Sequence, residues 1–398
     1  MRWWQDAPTL RRVVVDLVAG EWSRLRPGAP APDGWDDDGL EIAPGGLGAD
    51  SLELTSLATA LVETLQLHRA GFEDYLLRRR TLGDWVAITR ASLERADQEI
   101  TFRTSGSTGE PKPCAHTLER LEEEAGGLAD ILKGTTRVLA AVPAHHIYGF
   151  LFTVLLPLKL GVPVEVVRGR LPGRVVAELR PGDLLVAVPD WWNAAARAGA
   201  AIPAGATGTS STAPLPAETA ALLRLRGLSR LVEIYGSSET AGLGWRDDPA
   251  GPYTLFPWWR PEADGALRHA RLDLIAEPPD HLAFQPDGRF RLEGRRDGAV
   301  QVGGTNIFPA RVASVLREHP DVADAAVRPH AVAGGLRLKA FIVPSPGISP
   351  DSLRAGLEGW MAGRLTPPER PRALTFGATL PRTEMGKPAD WPVTPDHD

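Results

Sequence analysis

Thr104-Ser105-Gly106-Ser107-Thr108-Gly109-Glu110-Pro111-Lys112 follows a strand-like run, Glu99–Arg103. Two glycines let backbone N–H groups turn towards a single anion, the hydroxyls add donors, and the lysine adds a cation. That combination describes a phosphate cradle. It is not the G-x-x-x-x-G-K-[ST] loop, because the spacing differs and Pro113 follows Lys112. The bland alternative is a Gly/Ser surface loop. Lysine is an uncommon choice in this chain, with five against 39 arginines. Two of the five, Lys112 and Lys387, stand in glycine-flanked loops.

Upstream of this loop the chain reads as helical. Thr9 to Leu25 places Leu10, Val13, Val14, Leu17 and Val18 at helical spacing. A Pro/Gly/Asp-rich loop covers Arg26 to Gly48. Asp50 or Ser51 then caps a helix with the stripe Leu54, Leu57, Ala58, Leu61 and Leu65. A third helical stretch, Phe72 to Leu93, completes a small bundle.

Downstream, helical patterns alternate with β-branched runs at Arg137–Val142, Val162–Val167, Leu184–Val188 and Leu231–Ile234. Such alternation predicts an α/β domain with a largely parallel sheet. Ala198 to Pro216 reads as a loop. A last unit mixes strands (Ala299–Val302, Val322–Val327, Leu336–Val343) with helices at Ala310–Glu318 and Ser352–Gly363. The expected fold class is therefore multi-domain α/β (α+β). It has a helical module over 1–97, a core over 98–297 and a small α+β domain over 298–398.

Composition narrows the function. A length of 398 residues calls for more than one domain, and 43% apolar with 24% charged residues is ordinary for a globular protein. A net charge of -6 favours neither nucleic acid nor an anionic membrane as a bulk partner. The single cysteine, Cys114, excludes an internal disulfide framework and a Cys-rich zinc site. The N-terminal segment has no apolar stretch of signal-peptide length, and the longest apolar run, Gly149 to Leu158, is far short of a membrane span of ~20 residues. A cytoplasmic protein is expected.

Four further motifs carry polar chemistry. Tyr235-Gly236-Ser237-Ser238-Glu239-Thr240 closes a predicted strand, where ligands collect in open α/β sheets. Its carboxylate among hydroxyls suits Mg²⁺, while the bland reading is a strand-to-helix turn with Ser and Thr caps. His145-His146-Ile147-Tyr148-Gly149 precedes an apolar helix, and adjacent histidines lack the i, i+4 spacing of a helical metal pair. Asp280 lies fifteen residues before Arg295, which opens Arg295-Arg296-Asp297-Gly298, followed by Gly303-Gly304-Thr305-Asn306. Pro381-Arg382-Thr383-Glu384-Met385-Gly386-Lys387 comes last. By itself each of these could be a turn, a surface arginine or a glycine hairpin.

In this order, the motifs resemble the adenylate-forming superfamily of acyl- and aryl-CoA synthetases, adenylation domains and luciferases. The resemblance covers about Ile100 to Asp390. It implies that a carboxylate attacks the α-phosphate of ATP, releasing pyrophosphate, and that a thiol then displaces AMP from the acyl-adenylate. By that likeness, Thr104, Ser105, Gly106, Ser107, Thr108, Gly109 and Lys112 bind ATP around its β- and γ-phosphates. Glu239 holds Mg²⁺, and Thr240 lies near the α-phosphate. Ser211, Tyr235 and Gly236 belong to the adenine site, Asp280 takes the ribose hydroxyls, and Arg295 assists. His146 borders the acid pocket. Lys387 bridges the carboxylate and the α-phosphate, Asp297 is the hinge of a mobile C-terminal domain, and Gly303 with Gly304 lines the thiol tunnel.

Departures from the family accompany these matches. Pro278-Pro279 replaces the usual Thr-Gly before the ribose aspartate, and Arg311 stands where a glutamate is common. The family's N-terminal part is usually longer, so the core reads as truncated. In its place, Leu47-Gly48-Ala49-Asp50-Ser51-Leu52 looks like an acyl carrier protein around its phosphopantetheine serine, Ser51. A plain helix cap explains the same residues.

The resemblance thus implies a small carboxylic acid substrate, with an aryl acid such as a hydroxybenzoate favoured by similarity to aryl-polyene ligases. ATP and Mg²⁺ accompany it, and CoA or a carrier's phosphopantetheine is the acceptor. The rival expectation is a non-catalytic module of this fold that docks a carrier protein or senses nucleotide.

Overall fold

The computed structural model describes residues 1–29, 32–104, 112–303, 305–332, 335–382 and 389–393. They fall into two compact units. The first comprises 1–104, 112–278 and 284–291; the second comprises 279–283 and 292 onward.

The first unit opens with four helices: α1 (Ala7–Leu25), α2 (Ser51–Leu65), α3 (Asp74–Arg78) and α4 (Leu82–Leu93). Asp6 caps α1 by accepting from the Thr9 N–H at 3.0 Å, and Leu10, Val13, Val14, Leu17 and Val18 are buried. Asp50, not Ser51, caps α2: it accepts from Leu52 and Glu53 N–H, and Glu53 answers to the Asp50 N–H. The expected third helix is two, because Arg79 runs extended and Arg80 is not helical between α3 and α4.

These helices are not a module apart from the core. Trp3 meets Phe150 edge-on at 5.3 Å, the Asp16 carboxylate accepts from the Ala144 N–H at 2.6 Å, and Gln66 donates to Thr101. Residues 1–97 therefore share one compact unit with the sheet.

A hairpin follows, β1 (Glu99–Thr104) against β2 (Lys112–Thr117), with Thr104 opposite Lys112. Then come α5 (Leu118–Ile131), β3 (Arg137–Ala140), α6 (Ile147–Phe150), α7 (Leu156–Leu160), β4 (Val164–Val166), α8 (Pro172–Ala177), β5 (Asp183–Ala187), α9 (Pro189–Ala198), β6 (Thr207–Ser210), α10 (Ala217–Leu225), β7 (Arg230–Ser237), β8 (Ala241–Arg246) and β9 (Thr254–Leu255). The main sheet has the order β4-β3-β5-β6-β7-β8-β9, parallel from β4 to β7 and antiparallel beyond. The chain leaves β3 towards β4 and returns on the other side to β5. The carboxyl ends of β3 and β5 are thus the topological switch point, where such sheets hold ligands.

α6 and α7 are joined by a turn of i→i+5 bonding over Leu151–Leu155. Pro157 has no N–H to offer Thr153, so that carbonyl is left over. Arg12 of α1 takes it, donating to both the Thr153 carbonyl and its hydroxyl. β6 lies inside the stretch expected to be a loop. Its Thr-Gly-Thr-Ser sequence lacks an apolar run because the Trp192 ring fills the space: a Cβ on Gly208 would stand 2.6 Å from it.

A small antiparallel sheet, β10 (Trp259–Pro261), β11 (Leu267–His269) and β12 (Ile275–Ala276), completes the first unit. β13 (Asp280–Phe284) and β14 (Phe290–Arg295) form a hairpin, followed by a second one, β15 (Val300–Val302) with β16 (Thr305–Ile307). The second unit then runs α11 (Pro309–Arg317), β17 (Val322–Val332), β18 (Gly335–Pro344), α12 (Pro350–Arg364) and β19 (Ala373–Phe376). Its sheet is β17-β18-β19, with Val312, Leu316, Leu338, Ile342, Leu353 and Leu357 in its core. The unexpected Arg311 is explained by an ion pair with Glu369. Among the described residues, no helix is long and apolar enough to cross a membrane.

Candidate active site

The Tyr235–Thr240 motif leads into a strand, not a helix. β7 turns at Ser237–Thr240 and returns as β8, and a Cβ on Gly236 would stand 2.1 Å from the Ala241 carbonyl oxygen. Within the turn, the Thr240 Oγ1 accepts from the Ser237 N–H and donates to the Ala241 carbonyl, while the Ser237 Oγ accepts from the Thr240 N–H. Thr240 is buried and its hydroxyl is engaged in shaping the turn. The Glu239 carboxylate is exposed and makes no ion pair among the described residues. It lies within electrostatic reach of Cys114 and His116 on β2, and Lys112 reaches Cys114 in the same way. One corner of the first unit therefore gathers Lys112, the last residue of the first motif, and the carboxylate of the second.

At the switch point, the loop after β3 carries His145 and His146, whose rings lie 4.2 Å apart. The His145 ring abuts α1, since a Cβ on Gly20 would stand 2.7 Å from it. Burial, with His146 and Arg168 nearby, pushes its pKa down to about 3, and its Nδ1 is buried with no hydrogen-bond partner among the described residues. His146 reaches the surface, and its pKa is also lowered, by desolvation. Tyr148 is buried between β5 and β6, with its hydroxyl 2.8 Å from Thr209 Oγ1 and 3.2 Å from the Ala187 carbonyl. Ser211 donates to the Ile234 carbonyl, tying the loop after β6 to β7, and Ser210 Oγ is buried with no partner among the described residues. Tyr235 packs in an aromatic group with Tyr253 and Phe290, at 5.6 and 5.7 Å.

In the second unit, the Arg296 N–H bonds the Pro279 carbonyl and brings Asp280 and Arg295 to the same end of the β13–β14 hairpin. Arg295 grips Asp297 with two hydrogen bonds, 2.8 and 2.6 Å, which hold the Asp297 carboxyl below its ordinary range. The expected hinge residue is thus locked to a residue expected at the nucleotide. Gly303 has φ +56 at the tip of the β15–β16 hairpin, the left-handed region that glycine tolerates. The Ala389 N–H meets the Pro381 carbonyl at 2.9 Å, and buried Lys339 fixes the chain beyond, on the Trp391 carbonyl and Asp390. Ser105, Gly106, Ser107, Thr108, Gly109, Gly304 and Lys387 lie outside the described residues, as does the side chain of Thr104.

Sequence reasoning missed a polar row beneath the Glu239 turn. His116 Nε2 donates to the Ser238 carbonyl at 2.6 Å, and its Nδ1 accepts from Arg120 at 3.0 Å. The partners dictate the tautomer: arginine only donates and a carbonyl only accepts. Arg120 also donates to the Thr240 carbonyl, and buried Glu124 accepts from the Gly242 N–H with both oxygens. The i, i+4 spacing of Arg120 and Glu124 on α5 was the one available signal, and His116, on β2, lies outside it.

Burial, then the neighbouring arginine, pushes the His116 pKa down to about 4, while burial pushes Glu124 up to about 7. His116 therefore contributes stability that is full above its unfolded pKa of 6.5 and is lost as pH falls towards 4. Glu124 acts in the opposite sense between 4.5 and 7. Comparing wild type with His116→Gln isolates the histidine. The stability advantage of wild type is expected to shrink by roughly 2 kcal/mol between pH 7.5 and 4.5. Urea unfolding at the two pH values measures it, and an advantage independent of pH would contradict the assignment.

Comparison with known proteins now decides the family. The family model "AMP-binding enzyme" matches residues 72–258, and "AMP-binding enzyme C-terminal domain" matches 311–387. A 4-coumarate–CoA ligase from Halorhodospira halophila is 38% identical over 390 residues, spanning 96% of this chain and 98% of that protein.

The chain belongs to the AMP-binding enzyme family.

A second 4-coumarate–CoA ligase, from Cereibacter sphaeroides, is 38% identical over 412 residues, or 97% of each chain. Among solved structures, the amide bond synthetase McbA from Marinactinospora thermotolerans aligns with a TM-score of 0.60 at 20% identity, over 96% of this chain and 93% of that one. Malonyl-CoA ligase aligns at 0.53 and 25% identity, over 71% of each. The adenylate-forming fold is therefore present, and the expected enzyme class, an AMP-forming ligase, stands. Since the two ligases match over nearly their whole lengths, the short N-terminal part is theirs as well. The match from residue 72 also takes in the third helical stretch.

Proposed function

We propose that this AMP-binding enzyme activates a hydroxycinnamic acid of the 4-coumarate type with Mg-ATP and transfers the acyl group to CoA. The carrying observation is the end-to-end likeness to two proteins named 4-coumarate–CoA ligase. In the first step, a carboxylate oxygen bonds the α-phosphorus of ATP and pyrophosphate leaves. In the second, the CoA sulfur bonds the acyl carbon, AMP leaves, and the thiol proton goes to solvent.

The site's geometry supports this reading. Lys112 and the exposed Glu239 both lie within electrostatic reach of Cys114, and the His146–Tyr148 segment borders the switch point at the end of β3. Among the described residues, no group of three or more His, Cys, Asp or Glu could cage a metal. A lone carboxylate suits Mg²⁺ that arrives on ATP, because that ion is held by one or two carboxylates together with phosphates and water. Glu239 is the residue that would hold it, and the ion would neutralise charge on the phosphates.

ATP–pyrophosphate exchange with hydroxycinnamates, hydroxybenzoates and fatty acids tests the proposal. Exchange and CoA thioester formation with hydroxycinnamates are expected. Preference for hydroxybenzoates would move the substrate class. A mass gain on the protein in place of free thioester would move the acceptor to Ser51, which is exposed beside Leu52, itself 80% exposed. No exchange with any acid would turn the reading to a non-catalytic module, against which the similar lengths of the two named ligases argue.

A further inference from the structure

The turn that presents Glu239 is not held by its own strands alone. Its carbonyls at Ser238 and Thr240, and its N–H at Gly242, are taken by three side chains from more than a hundred residues earlier. A fourth, Trp259, donates to the Gly242 carbonyl at 2.9 Å. His116 sits on β2, the strand that begins with Lys112; Arg120 and Glu124 follow on α5. All three are buried.

Burying an arginine and a glutamate is costly and gives little net stability even when they are paired. A surface hairpin turn needs no such support. What the row supplies is a fixed distance between two chain segments. His116 links β2 to the Ser238 peptide, and Arg120 links the His116 ring to the Thr240 peptide. Glu124 stops the start of β8 from shifting, and only glycine fits there, because a Cβ on Gly242 would stand 2.3 Å from its carboxylate. Ser237 and Thr240 bond each other inside the turn, leaving Glu239 between them as the side chain directed outward without an ion pair among the described residues.

We propose that His116, Arg120 and Glu124 form a positioning row that holds the Ser237–Gly242 turn in register with the Lys112 strand, so that Glu239 stays placed for the metal-bound phosphates of ATP. The functional half rests on the adenylation reading above; the positioning half does not. None of the three touches substrate. They are positioning residues, and their loss loosens Glu239 without removing a reacting group.

The test compares His116→Gln with His116→Asn in the full chain. Glutamine places an N–H where Nε2 stands and can still donate to the Ser238 carbonyl. Asparagine can face Arg120 but falls short of that carbonyl. Hydrogen–deuterium exchange over residues 236–242 is expected to rise about tenfold in the asparagine variant and to stay near wild type in the glutamine variant. The KM for Mg-ATP in pyrophosphate exchange is expected to rise about tenfold in the asparagine variant, with transfer from preformed acyl-adenylate to CoA changed less than about threefold. Arg120→Lys, which keeps the charge but cannot bridge both partners, should behave as the asparagine variant does and serves if that one fails to fold.

Unchanged exchange in 236–242 would overturn the positioning row. A looser turn with unchanged Mg-ATP KM would overturn its link to Glu239. Equal losses in both half-reactions, not rescued by glutamine, would reduce the row to packing. If wild type activates no acid, the adenylation reading fails, and exchange over 236–242, with calorimetric Mg-ATP binding by each variant, still decides the row.

Discussion

Lys387→Ala is expected to lower acid-dependent ATP–pyrophosphate exchange by about a thousandfold. Adenylation brings a carboxylate against a triphosphate, two anions that repel. A point cation between them, at ~4 Å and an effective dielectric near 20, is worth roughly 4 kcal/mol before desolvation. Transfer of the acyl group from preformed adenylate to CoA has no such encounter, so it should change less than about threefold. Lys387→Arg is not expected to restore the rate, because the planar guanidinium is no substitute for a compact ammonium between two oxyanions. The two half-reactions measured separately check this. Equal losses in both, or full activity in the alanine variant, would remove Lys387 from the role its motif implies.

The second large effect is expected at Glu239. Glu239→Gln keeps the shape and removes the charge, and Glu239 has no ion pair among the described residues whose loss would disturb the fold. Pyrophosphate exchange should fall about a hundredfold, with a higher Mg²⁺ concentration needed for half-maximal rate. The melting temperature should stay within a few degrees of wild type. Unaltered Mg²⁺ dependence would place the metal elsewhere. Cys114→Ser is the neighbouring control: the thiol is held neutral, its pKa raised by burial and by Glu239 to about 11, so its loss should leave the rate unchanged.

Much of this was legible in the residues. Asp50 followed by Glu53 announces a capped helix, and Asp50 caps α2 with both reciprocal bonds formed. The β-branched runs that predicted β3, β4, β5 and β7 lie within a few residues of the observed strands. For the inner strands β3, β5 and β7 the reason is burial, which makes the run mostly apolar, whereas β4 at the edge is only partly buried. β6 was illegible for the opposite reason. Its apolar cover comes from Trp192 and leaves Gly208 no room for a side chain, so the strand carries no apolar pattern of its own. The turn after Tyr235 was also open to two readings, since Ser and Thr cap helices as readily as they stitch a hairpin.

The chain by itself determined its family, the order of its motifs and the identity of the candidate reacting groups, because each is written in a few neighbouring residues. Tertiary structure alone decided that the N-terminal helices join the core, through Asp16 on Ala144 and Arg12 on a carbonyl that Pro157 leaves unbonded. It alone paired Arg311 with Glu369 and set His116, Arg120 and Glu124 beneath the Glu239 turn. Many of those contacts join residues more than a hundred positions apart. Their partners are chosen by which buried N–H and C=O groups the fold leaves unsatisfied, and no local pattern records that.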